Sequence, residues 1–69
     1  MANRLPELRK AQKLTQVALA EKSGVARSVI ARFEAGITGI STRNLMKICK
    51  TLECRTEDVI QEDDDGEAV

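Results

Sequence analysis

Four residues carry side chains suited to reading a partner: Arg27, Ser28, Ala31 and Arg32. Steps of one, four and five separate the later three from Arg27, so on a helix they share one face. An arginine fork can donate two parallel hydrogen bonds to guanine O6 and N7. That pairing discriminates between bases by roughly 1–3 kcal/mol. A serine hydroxyl can donate or accept. An alanine methyl can meet a thymine methyl, or simply leave room for close backbone approach. The face is basic and contains no acid. The plainer reading of the two arginines is solvation, or contact with phosphate alone.

These residues need a helix, and the stretch Thr15 to Gly36 (TQVALAEKSGVARSVIARFEAG) supplies two. Thr15 is a suitable N-cap because its hydroxyl can accept from an orphan N–H in the first turn. Val17 to Ala20 follow without a breaker. Gly24 ends that helix where a left-handed backbone is needed. A second helix then runs from near Ala26 to before Gly36. Val25, Ile30 and Phe33 form its inward side. Two short helices joined by a glycine turn have the shape of a helix-turn-helix, whose second helix can enter the major groove of DNA.

The run LTQVALAEKSGVARSVIARFEAG resembles the Cro/C1-type (Xre-family) helix-turn-helix regulators. The matching positions are Leu14-Thr15-Gln16, Leu19-Ala20-Glu21-Lys22, Gly24-Val25, Arg27-Ser28, Ile30, Arg32, Glu34 and Gly36. The likeness continues through Leu45, Lys47 to Lys50, Leu52, Cys54 and Asp58 to Ile60, which look like the family's fourth and fifth helices. It implies an all-α, compact five-helix, lambda-repressor-like domain over residues 4–61, with helices 2 and 3 as the DNA-binding pair. It also implies base contacts from Arg27, Ser28 and Arg32 and a phosphate contact from Gln16. Thr15, at the same helix start, and Thr38 and Arg43, around the loop before helix 4, are further backbone candidates. The double-stranded DNA partner suggests a regulator, read here as a repressor. A single module buries little DNA, so a homodimer on a palindromic operator is expected. Leu52, Val59 and Ile60 are its candidate seam, with Val59 and Ile60 equally able to close the core.

The rest of the chain fits that expectation. Helix 1 is predicted over about Arg4 to Gln12, capped by Asn3, with Pro6 in the first turn, where a missing N–H costs little. Leu5, Leu8 and either Ala11 or Leu14 form its inward stripe. The family often has glycine where Lys13 stands, so Lys13 is either left-handed and strained or the helix ends differently. Helix 2 spans about Gln16 to Lys22 and helix 3 about Arg27 to Ala35. Ala26 stands where the family commonly has a capping serine or threonine, a loss of about 1 kcal/mol. Ile37 to Ile40 is a loop. Ser41 caps helix 4 (Thr42 to Leu52), whose Leu45, Ile48, Cys49 and Leu52 recur at helical spacing. Helix 5 is predicted over Thr56 to Gln61, with Thr56 as its cap.

The 69 residues carry no net formal charge, yet the charge is divided. Residues 1–55 hold all eleven Lys and Arg against four acids, a net +7, and residues 56–69 hold seven acids and no base. A basic domain attracts phosphate at long range. Residues 62–69 read as a disordered acidic tail. It is either a solvated terminus, a competitor for the basic face, or a contact for another protein.

Several classes are disfavoured. There is no His, Tyr or Trp, and Ser and Thr have no adjacent base, so an enzyme is not expected. No metal site or cofactor is expected either. Cys49 and Cys54 lack a zinc or redox spacing and read as reduced, buried thiols. No apolar stretch is long enough for a membrane span, and no signal peptide is evident, which suggests a cytoplasmic protein. No sensor domain is evident, so no small-molecule ligand is expected. The rival reading is a protein-interaction module of the same fold, antitoxin-like or an anti-regulator, with Arg27 and Arg32 buried in a protein complex.

Overall fold

The computed structural model describes residues 3–60. Five helices follow in order: α1 (Leu5–Ala11), α2 (Gln16–Ser23), α3 (Arg27–Glu34), α4 (Thr42–Leu52) and α5 (Thr56–Val59). No strand occurs among the described residues. The all-α architecture is the expected one, and α2 packs against both α3 and α4 while α5 packs against α4.

Five fully buried aliphatics hold the helices together: Leu5 of α1, Leu19 of α2, Ile30 of α3, Ile48 of α4 and Val59 of α5. Each helix therefore contributes one complete anchor, worth roughly 1.5–3 kcal/mol of burial. Phe33, Leu45, Cys49, Leu52 and Val25 fill the space between them. The stripe expected on α4 is the one observed. Ala11, by contrast, is exposed, and Leu14 is the residue of its pair that packs inward.

Two helix starts agree with the sequence, and each is capped by a hydroxyl. Thr15 Oγ1 accepts from Ala18 N–H at 3.0 Å, and Ser41 Oγ accepts from Asn44 N–H at 3.1 Å. Ala26 opens α3 with no side-chain cap, as its methyl dictates. Two caps differ from expectation. Arg4, not Asn3, occupies the N-cap of α1, although Asn3 Oδ1 still accepts from Leu5 N–H at 3.1 Å. Arg55, not Thr56, precedes α5, because the Asp58 carboxylate folds back to accept Arg55 N–H at 2.9 Å. Gln61 and the acidic segment 62–69 lie outside the described residues.

Four helix ends turn through left-handed backbone. Gly24 (φ +78°) and Gly36 (φ +77°) do so without steric cost, but Lys13 (φ +60°) and Glu53 (φ +58°) also adopt it. At Lys13 the paired bonds of a Schellman end explain why: Lys13 N–H donates to Lys10 O and Leu14 N–H to Arg9 O. Glu53 and Cys54 repeat that pattern against Lys50 and Cys49. Of the two possibilities open for Lys13, the structure adopts the strained one.

Candidate nucleic-acid interface

The inward residues of α3 decide what its other side presents. Ile30 and Phe33 are buried and Val29 packs against the core. Helical geometry then turns Arg27, Ser28 and Arg32 to solvent, and all three are exposed. Ala31 is half-buried between them. Neither arginine makes an ion pair or side-chain hydrogen bond among the described residues, so both guanidinium forks remain available. The four residues thus come together on one acid-free surface.

At the start of α2, Thr15 is exposed, with its hydroxyl committed to the cap, and Gln16 is half-buried. Gln16 Nε2 donates to Glu34 Oε1 at 3.0 Å, which links the start of α2 to the end of α3. Thr38, in the loop after α3, and Arg43, in the first turn of α4, are both exposed. No bond among the described residues ties either of them to α3. Of the seam candidates, Leu52 and Val59 lie inside this chain's own core, 3% and 0% exposed, and only Ile60 (40%) offers surface.

One feature of this region escaped the sequence reading. Arg9 is buried, and its guanidinium grips Glu34 with both ends: Nε to Oε2 at 2.8 Å and Nη2 to Oε1 at 3.0 Å. Its remaining nitrogen Nη1 donates to Leu14 O at 2.9 Å. The hydrogen bonds to Glu34 raise the Arg9 pKa further above its ordinary value, against the opposing effect of burial. Removing one member of such a pair typically costs about 3–5 kcal/mol, because the other charge is left buried alone. Arg9 lies one helical turn after buried Leu5, and that spacing is the signal that could have revealed it. Its charge argued the other way.

A helix-turn-helix family profile matches residues 6–59, most of the chain and all of α2 and α3. This chain belongs to the Cro/C1 (Xre) type of helix-turn-helix protein, the DNA-binding transcriptional regulators. Its fold is similar to the crystal structure of the restriction-modification controller protein C.AhdI from Aeromonas hydrophila. The two share 35% identity over 83% of this chain and 86% of that one, with a TM-score of 0.77. No curated protein sequence matches this chain. None of its described helices is long and apolar enough to cross a membrane.

Proposed function

We propose that this helix-turn-helix protein is a repressor that binds a palindromic operator as a homodimer, and that it controls the genes of a restriction-modification system. The observation that carries the reading is the exposed, unpaired basic face of α3, held outward by buried Ile30 and Phe33. Similarity to a protein described as a restriction-modification controller supports the choice of genes. Arg27 and Arg32 read base edges with Ser28, and Ala31 allows close approach or meets a thymine methyl. Thr15, Gln16, Thr38 and Arg43 contact phosphates and set the register, as such contacts do without reading sequence. Two copies place their α3 helices roughly 34–36 Å apart, one turn of the duplex. Ile60 forms the exposed part of the seam, and Leu52 and Val59 support it from within each core.

The test is selection of bound sequences from a random duplex pool, run in parallel for the natural protein and for Arg27→Ala/Arg32→Ala. The expected result is a palindromic motif for the natural protein that degrades in the variant. No enrichment at low or moderate salt would refute the reading and favour the protein-interaction alternative. A motif without two-fold symmetry would refute the dimer.

A further inference from the structure

Glu34 ends α3 with its side chain 6% exposed and both carboxylate oxygens in use. Oε2 accepts from Arg9 Nε, and Oε1 accepts from Arg9 Nη2 and Gln16 Nε2. Arg9 in turn spends its Nη1 on Leu14 O. Gln16, at the start of α2, still has a donor to offer. A primary amide carries two N–H groups, and Gln16 uses only one of them toward Glu34. Because the amide is planar, fixing one N–H also fixes the direction of the other.

We propose that Glu34 is a positioning residue for the DNA backbone: by holding one amide hydrogen of Gln16, it aims the second at a phosphate oxygen. This inference rests on the DNA-binding reading above. Left free, a glutamine side chain samples many rotamers and loses that freedom when it binds. Here the freedom is already lost on folding, so less is lost on contact with DNA. Arg9 makes the device tolerable to an anion. A bare carboxylate beside Gln16 would repel phosphate, and the bidentate guanidinium offsets that charge. The same cluster joins the start of α2 to the end of α3. A phosphate clamp and a base-reading helix are thus held in one register.

The experiment is an NMR titration of the full chain, labelled with nitrogen-15, with a short mixed-sequence DNA duplex at low salt. The Gln16 side-chain amide pair is assigned by its loss in Gln16→Ala. The expected result is one proton already shifted by the carboxylate and unmoved by DNA, and a second that shifts on binding. Affinities complete the test. Gln16→Ala weakens binding by about two- to tenfold, the range of one hydrogen bond. Glu34→Gln weakens it by a similar factor alone and by nothing further in the Gln16→Ala background. A merely structural Glu34 would weaken both backgrounds equally, and that outcome overturns the proposal. If Glu34→Gln does not fold, the titration decides alone. Shifts at the Arg27 and Ser28 backbone amides with none at the Gln16 side chain overturn this inference and leave DNA binding standing. No shift anywhere overturns both.

Discussion

Cys49 shows what a residue's surroundings do to its chemistry. It is 5% exposed, and burial, followed by the neighbouring Cys54 thiol, pushes its pKa up to about 11 from an ordinary 9.0. Burial also raises Cys54, the half-buried partner at the end of the same turn. The nucleophile is the thiolate, and a raised pKa means less of it at any pH below the new value. At pH 8 the thiolate fraction of Cys49 is therefore lower than that of a free cysteine by one to two orders of magnitude, on the order of tenfold per unit. Alkylation with iodoacetamide, followed by peptide mass mapping, should find Cys49 slow at pH 8. Its rate should still be climbing between pH 10 and 11, where a free thiol has largely levelled off. A plateau reached by about pH 10 would contradict this. The expectation of reduced thiols agrees with the structure for both residues, while the burial expected of the pair is complete only at Cys49.

At the scale of the element, helix ends separate what was legible from what was not. A hydroxyl at Thr15 or Ser41 announces a start, and glycine at 24 or 36 announces a stop, because each residue type does locally what the backbone needs there. Lys13 and Glu53 take the same left-handed turn without that signature. Their conformation is imposed by the carbonyls of α1 and α4 and by the packing of Leu14 and Cys54 against the core. The weakest start is that of α3, where Ala26 has extended-like backbone angles (φ −59°, ψ 140°) but no side-chain oxygen. Ala26→Ser should supply the missing acceptor and stabilise the fold by about 1 kcal/mol. Thermal unfolding followed by circular dichroism would read this as a higher midpoint. An unchanged midpoint would mean that the first turn of α3 is already satisfied by other means.

At the scale of the whole molecule, the small core and the exposed apolar residues bear on assembly. A domain of this size buries only about 60% of its unfolded surface, so the proposed partner copy would add appreciably to its stability. Ile60 is 40% exposed at the end of α5, close to where Arg4 N–H donates to Val59 O at 2.8 Å. Placing a carboxylate there by Ile60→Asp should weaken self-association while leaving the five core anchors untouched. Sedimentation velocity over a concentration series should then show the variant dissociating at concentrations where the natural protein stays paired. Identical profiles would remove Ile60 from the interface. The same substitution at Val59 would be uninformative, because that residue is fully buried in its own chain and its loss would unfold the protein.

By itself the sequence determined the helix-turn-helix pair, the stripe on α4 and the outward face of α3. All three follow from periodicity and caps, which act within a few residues. It did not determine that Arg9 is buried, that Gln16 is tied to Glu34, or that Val59 faces inward. Those outcomes depend on pairs far apart in sequence. Arg9 and Glu34 are 25 residues apart, and Gln16 and Glu34 are 18 apart. A buried arginine is favourable only once a carboxylate and a carbonyl converge on all its bonded nitrogens. That convergence exists only after α1, α2 and α3 have packed, so tertiary structure alone decided it.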